Sequence, residues 1–599
     1  MLKNKDLEAS KKVKWIYALV LAVVPALLFY LEAYFTYLPF ERTRWRAQLL
    51  NILFLEMLLV ILLMITCRAV WALRIETALV LVAGLANYYV ISFRGNPIVP
   101  WDFLSLHTAV SVAGEYSYRL GGRQIILVIL FVVLFVAEGF VKLRLDRKRW
   151  IAKTVSGVGA ALVIAGMTWV VSQDALVTKL QLYPFLFTPN VMYERNGFAV
   201  TFLMDLRYLS VKKPDGYNRE EVEKLLSDCD SEFSWVDTEN NPKLDSKPLP
   251  NVFVIMDEAF SDVSVLGSFQ ESEDALPFVH RLQNGEDGAL TGMLQVSVKG
   301  GNTANTEFEF LTGQTMAFLP AGSIPYQQYI TGEIPSLASY LNSLGYQTMA
   351  MHPYYASGWN RDKVYPLFGF SEFLDKDDYP RATMLRGYVD DMSCADKLIE
   401  LYEQKKKGQP LFAFEVTMQN HSPYDNGYQL LDGNISVNGS TYSSLSLYQS
   451  LIKKSDEALE ALVAYFKEQE EPTVIVFFGD HQPSDSVVAE IARDSVDEKE
   501  KEARRYEVPY VIWANYDLQA DMGGDTSANF LAARMMKAAG IPLSDYQEYQ
   551  LALQEAYPVI STQRLLTKDG KNGEMTDEEI TMYQKVQYYL LFDKKKNEE

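Results

Sequence analysis

Residues 472–484 read PTVIVFFGDHQPS: a run of β-branched and aromatic residues, then a glycine, an aspartate and a histidine. A run that is apolar at every position, rather than at every second one, marks a strand buried on both faces. Four more runs of this kind lie outward from it: NVFVIM (251–256), YQTMAM (346–351), PLFAFEVTM (410–418) and VPYVIWA (508–514). Helical segments separate them, so the spacing predicts an α/β domain with a mainly parallel central sheet covered by helices on both faces. In such a sheet the chemistry collects beyond the carboxyl ends of the strands. Here the strands run into Asp257-Glu258, into His352, into Asn420-His421 and into Asp480-His481, and three of the chain's five histidines fall at these positions.

Carboxylates and a histidine from separate strand ends form a mixed oxygen and nitrogen site for a divalent cation. Glu258, Asp480 and His481 are the candidate ligands. The segment KGGNTANTEFEFLTG (299–313) supplies two glycines for a tight turn, then Asn302-Thr303 to open a helix whose N-terminal N–H groups suit a phosphate. Taken alone it reads as an N-cap above a glycine turn. Beside the strand-end ligands, Thr303 reads as a hydroxyl nucleophile activated by the cation.

The first part of the chain is different in kind. Residues 1–172 carry 19 Lys+Arg against 10 Asp+Glu, which leaves −29 for the remainder of a chain of net charge −20. The acidic remainder excludes a nucleic-acid-binding surface of the usual basic kind. Cys67, Cys229 and Cys394 are too few for a disulfide framework and show no zinc-binding spacing. Five apolar runs are long enough to span a bilayer: Trp15–Leu38, Leu49–Thr66, Thr77–Phe93, Ile125–Val141 and Val155–Val171. Lys3, Lys5, Lys11, Lys12 and Lys14, then Arg68 and Arg74, then Lys142, Arg144, Arg147, Lys148 and Arg149 share one side of the membrane, which puts the N-terminus in the cytoplasm and the catalytic domain outside the cell. Arg42, Arg44 and Arg46 run against that rule. Glu32 and Glu56 fall inside apolar runs, where a carboxylate is costly. The expected domains are residues 1–172 in the membrane, a connector over 173–247 and a catalytic domain over 248–599.

Glu258, GGNTANTEFEFLTG, the downstream histidine motifs and FFGDHQPS, in that order, resemble the lipoteichoic acid synthase family of Gram-positive bacteria. The resemblance covers nearly the whole chain and implies five transmembrane helices before an extracellular domain of the sulfatase and alkaline-phosphatase fold. It implies Thr303 as nucleophile, and a metal held by Glu258, Thr303, Asp480 and His481. Manganese is the metal expected, with Mg²⁺ and Zn²⁺ as the alternatives. His352, Trp359 and Arg361 in MHPYYASGWNRDKVYPLFGF, with His421 in QNHSPY, match residues that hold the glycerol phosphate headgroup. The activity implied is transfer of glycerol phosphate from phosphatidylglycerol to a growing lipoteichoic acid chain or a glycolipid. No CxPxR or SxPxR sequence is present, which disfavours sulfate ester hydrolysis. The alternatives are a phosphoglycerol or phosphoethanolamine transferase acting on another surface glycan or lipid, and an inactive membrane scaffold or sensor.

Overall fold

The computed structural model describes residues 2–94, 97–105, 120–145, 150–183, 189–206, 211–242, 244, 248–320, 322–424, 434–493 and 498–593. Arg147, Lys148, Arg149 and much of the loop after Arg94 lie outside the described residues. The chain separates into two compact units, residues 1–103 with 118–210, and residues 104–117 with 211–599.

The first unit contains α1 (Leu2–Ala33), α2 (Trp45–Thr66), α3 (Ala69–Arg94), α4 (Gly122–Ala137) and α5 (Trp150–Val171). Within the helical chain are five apolar stretches of membrane-spanning length, Trp15–Ala33, Trp45–Thr66, Ala69–Ser92, Gly122–Phe140 and Lys153–Val171, so the chain is a multi-pass membrane protein. The first ends at Ala33, short of Leu38, which has extended backbone (φ −101°, ψ 99°) before Pro39. The third starts earlier than Thr77 because Arg74 is accommodated: its Nε donates to the Phe135 carbonyl at 3.2 Å and its guanidinium lies 4.8 Å from the Phe135 ring centre. Leu28, Phe29, Leu55, Leu73 and Phe131 meet in the interior, while Leu19, Leu49, Leu79, Ile126 and Val155 face outward, as a lipid-facing surface requires. Glu32 is buried and accepts a hydrogen bond from the Tyr193 hydroxyl at 3.0 Å; Glu56 is half-buried.

The stretch expected as a connector is divided between the units. Helices Asp174–Leu180, Pro189–Asn196 and Phe198–Asp205 belong to the first, and the charged helix Arg219–Ser227 to the second. Asn218 caps that last helix by accepting from the Glu220 N–H at 3.0 Å.

The second unit is built on β1 (Asn251–Asp257), β2 (Leu290–Gln295), β3 (Gln347–Met351), β4 (Glu372–Leu374), β5 (Leu411–Val416), β6 (Thr473–Gly479), β7 (Glu507–Ala514) and β8 (Thr526–Ser527), in the order β8-β2-β7-β6-β1-β5-β3-β4. From β6 to β4 every neighbour is parallel; β7 runs antiparallel to both β6 and β2. Alternate side chains of β1 enter different cores, Val252, Val254 and Met256 on one face and Phe253 and Ile255 on the other. In β6, Val474, Val476 and Phe478 oppose Ile475 and Phe477 in the same way, which explains runs with no polar alternation. Helices α6 (Thr303–Thr312) and α9 (Ala528–Ala539) cover one face through Phe308, Phe310, Leu531 and Met535. Helices α7 (Asp391–Gln404) and α8 (Ser444–Lys467) cover the other through Leu398, Leu451 and Leu459.

Candidate active site

The β1 and β6 strands end side by side, with Asp257 opposite Gly479. A Cβ on Gly479 would stand 1.8 Å from the Phe260 carbonyl oxygen, so only glycine lets the two strand ends approach this closely. Immediately beyond, Ala259 adopts φ 52°, a left-handed conformation that is strained for alanine, and its N–H donates to Asp480 Oδ1 at 2.7 Å. The Glu258 N–H donates to the Thr417 hydroxyl at 3.1 Å. This backbone arrangement brings one ligand atom each of Glu258, Asp480 and His481 within 4.8 Å of one another, all three residues being buried.

His481 Nδ1 lies 3.0 Å from its partner, the Gln482 carbonyl, so the ring donates there and Nε2 carries the lone pair. Nε2 then faces Asp480 Oδ2 at 3.3 Å and Glu258 Oε1 at 3.8 Å. Asp480 Oδ2 and His481 Nε2 have no hydrogen-bond partner. Buried acceptors turned toward each other without a donor call for a proton or a cation between them. Burial first, then the charge of Asp480, pushes the Glu258 carboxyl up to about 8; His481, Arg361 and the Thr303 hydroxyl act in the opposite direction. This donor set fits a divalent cation.

Thr303 opens α6 after Gly300, Gly301 and Asn302, all with positive φ (66°, 142° and 69°). The loop is tied to the β6 end twice: the Gly300 N–H donates to the Gln482 carbonyl at 2.8 Å, and the Thr306 hydroxyl to the Asp480 carbonyl at 2.7 Å. The Thr303 hydroxyl, buried, donates to Glu258 Oε2 at 3.4 Å, and Asn302 makes no side-chain cap at this helix start. Thus a hydroxyl, a cation-ready ligand cluster and a helix N-terminus converge.

The remaining sequence candidates differ in setting. His352 is buried with Nδ1 at 2.9 Å from the Val416 carbonyl; burial first, then Arg361 and His421, holds its pKa well below the usual histidine value. Its ring is neutral, Nδ1–H donates to Val416, and Nε2 is an acceptor. His421 is half-buried, its Nδ1 close to the Ser422 carbonyl (2.7 Å) and to the Tyr388 hydroxyl (3.2 Å). Trp359 is half-packed against the core at φ 55°, beside Asn360 at φ 60°. Arg361, 2% exposed, is not an open fork: its Nε and Nη2 are taken by Glu307, which also accepts from the Tyr365 hydroxyl at 2.7 Å. Sequence reasoning passed over Glu307, although it lies one helical turn beyond Thr303 on the same face of α6. It also passed over the network behind the ligands, in which Asn420 Nδ2 donates to Asp257 Oδ1 and to the Ser455 hydroxyl, each at 2.8 Å.

Residues 250–541 match the sulfatase family. They form a sulfatase-family domain. A candidate cyclic beta-1,2-glucan modification protein of Rhizobium meliloti is 31% identical over 66% of this chain and 60% of its own length. A lipoteichoic acid synthase of Staphylococcus saprophyticus is 27% identical over 35% of this chain and 32% of its own. The chain thus resembles the lipoteichoic acid synthases, and it spans 60% or less of the length of the curated relatives named here. The resemblance is not confined to Gram-positive bacteria, since relatives extend to Rhizobium meliloti, a Gram-negative organism. Among solved structures, the Streptococcus pyogenes phosphoglycerol transferase GacH in complex with sn-glycerol-1-phosphate superposes with a TM-score of 0.50 at 20% identity, covering 64% of this chain and 95% of that one. The integral membrane lipooligosaccharide phosphoethanolamine transferase A of Neisseria meningitidis has a TM-score of 0.50 at 13% identity, covering 86% and 95%. At these identities the likeness concerns fold: apolar helices followed by a sulfatase-family domain.

Proposed function

We propose that the chain transfers glycerol phosphate from phosphatidylglycerol to a hydroxyl acceptor, through a covalent intermediate on Thr303. The observation that carries this reading is the Thr303 hydroxyl at the start of α6, hydrogen-bonded to Glu258 beside the unpartnered Asp480 Oδ2 and His481 Nε2. Thr303 Oγ attacks the phosphorus, the bond from phosphorus to the diacylglycerol oxygen breaks, and the hydroxyl proton of Thr303 ends on that oxygen. An acceptor hydroxyl then attacks the glycerophosphothreonine and the bond from Thr303 Oγ to phosphorus breaks, restoring the free hydroxyl. The α6 N-terminus faces developing negative charge on the phosphoryl oxygens. His352 Nε2, an acceptor in the neutral ring, holds a glycerol hydroxyl. Glu258, Thr303, Asp480 and His481 would hold a divalent cation, manganese by the family resemblance, which when bound would supply Lewis-acid charge to the Thr303 hydroxyl and the phosphoryl group.

The acceptor by family resemblance is a growing polyglycerol phosphate chain or a glycolipid. The Rhizobium meliloti relative, which matches 66% of this chain, favours a second reading in which the phosphoglycerol decorates a glycan. The Lys and Arg of the loops support an N-terminus in the cytoplasm and a catalytic domain outside the cell. The test is diacylglycerol release by the purified full chain from fluorescent phosphatidylglycerol or phosphatidylethanolamine, with Mn²⁺, for wild type and Thr303→Ala. Release from phosphatidylglycerol alone, lost in Thr303→Ala, supports the reading. Release only from phosphatidylethanolamine reassigns the headgroup, and release undiminished by Thr303→Ala removes the nucleophile.

A further inference from the structure

The β-hairpin Met384–Leu385/Tyr388–Val389 pairs Leu385 with Tyr388, so its turn consists of Arg386 and Gly387 alone. Both have positive φ, 56° and 91°. Two-residue turns of this kind select Asn-Gly or Gly-Gly, because a residue with a long side chain is strained there. The arginine that takes this strained place is held in position from several sides. Its Nη2 donates to the His421 carbonyl at 3.3 Å and to the Pro423 carbonyl, and its guanidinium lies 5.4 Å from the Tyr424 ring centre. Its Nη1 is buried and has no partner, and no ion pair is formed by Arg386 among the described residues.

These contacts put Arg386 beside His421, one of the candidate substrate-binding residues. Tyr424 donates to the carbonyl of Asn420, whose amide donates to Asp257, the neighbour of Glu258. The Tyr388 hydroxyl, from the same hairpin, contacts His421 Nδ1, and the Tyr388 ring stands 6.0 Å from Tyr354, which in turn is 6.2 Å from the His352 ring. Arg386 therefore lies between His421 and Tyr424, in a set of ring contacts that continues through Tyr388 and Tyr354 to His352. Arg361, the guanidinium expected to grip phosphate, is already paired with Glu307.

We propose that Arg386 is a phosphate-binding residue, its unpartnered Nη1 donating to an anionic oxygen of the glycerophosphoryl substrate. A guanidinium fixed through Nη2 and stacked on an aromatic ring loses little freedom on gripping an oxyanion, which makes the contact strong. Burial lowers the Arg386 pKa, while Tyr424 and Tyr388 raise it, a setting in which an approaching anion stabilises the charge. The proposal rests on the glycerol phosphate reading of the same site for its ligand.

The experiment is a calorimetric titration of sn-glycerol 1-phosphate into the full chain in detergent with Mn²⁺, comparing wild type, Arg386→Gly and Arg386→Lys. Glycine accepts φ 56° without strain, so Arg386→Gly should keep or raise the Tm while weakening binding about 10- to 100-fold, the loss expected for one charge-assisted hydrogen bond. Arg386→Lys, which keeps the charge without the fork, should fall between. Affinity unchanged in Arg386→Gly overturns the proposal, as does a Tm drop in both variants with affinity intact. Because the readout is binding, it is separate from turnover: failure of the wild type to release diacylglycerol from phosphatidylglycerol counts against the function reading alone.

Discussion

Arg361 and Glu307 are a buried ion pair, with Glu307 one helical turn beyond the candidate nucleophile, and a pair of that kind is far more sensitive to losing one partner than to losing both. Glu307→Ala should therefore destabilise the chain by about 3–5 kcal/mol, and the double variant Glu307→Ala/Arg361→Leu should recover a large part of that loss. Urea titration of the full chain checks this; single and double variants of equal stability would contradict it. At this scale the sequence was most informative where chemistry sits next to a strand. Glu258, His352, Asp480 and His481 were legible because each follows a buried run. Glu307 was legible in principle, from its spacing to Thr303. Arg386 was not, because its hairpin contains no apolar run and the importance of its place lies in backbone conformation.

Among the elements, the approach of β1 to β6 depends on Gly479. Gly479→Ala would drive a methyl group to 1.8 Å from the Phe260 carbonyl, so folded yield should collapse, as size-exclusion chromatography of the purified chain would report. Another element carries its own pH dependence. The helix Pro277–Gln283 bears His280, whose Nδ1 is 2.8 Å from Asp274 and whose Nε2 is 3.7 Å from Asp262. The facing carboxylate of Asp262, opposed by burial and reinforced by Asp274, raises its pKa to about 9. A raised pKa means stability that is full below the ordinary histidine value of about 6.5 and lost as pH climbs through about 9. The Tm gap between wild type and His280→Gln should be present at pH 6 and close by pH 9.5. A gap independent of pH would contradict this account. Strand direction was less legible than strand existence: VPYVIWA announces burial, yet nothing in it distinguishes antiparallel β7 from its parallel neighbours. LTGMLQ, which forms β2, was missed because Gly292 and polar residues interrupt the run; that glycine is needed where the Gly524 backbone approaches, with a Cβ placed 2.5 Å from its carbonyl carbon.

For the whole molecule, the electrostatic division at the level of composition corresponds to two physical units, a basic helical one and an acidic one built on the sheet. The positive loops predict that protease added to intact spheroplasts removes the sulfatase-family domain and spares an N-terminal tag, whereas a protected domain would reverse the orientation. Both lipid donor and first acceptor of the proposed reaction are membrane-borne, which gives the anchor its purpose. The central claim is that Thr303 carries the transferred group. Its most direct test is peptide-mapping mass spectrometry of the full chain quenched during incubation with phosphatidylglycerol and Mn²⁺ but no added acceptor. The account predicts one glycerophosphoryl group on Thr303, absent after EDTA treatment and absent in Thr303→Ala; an adduct on another residue, or one that persists in Thr303→Ala, would contradict it.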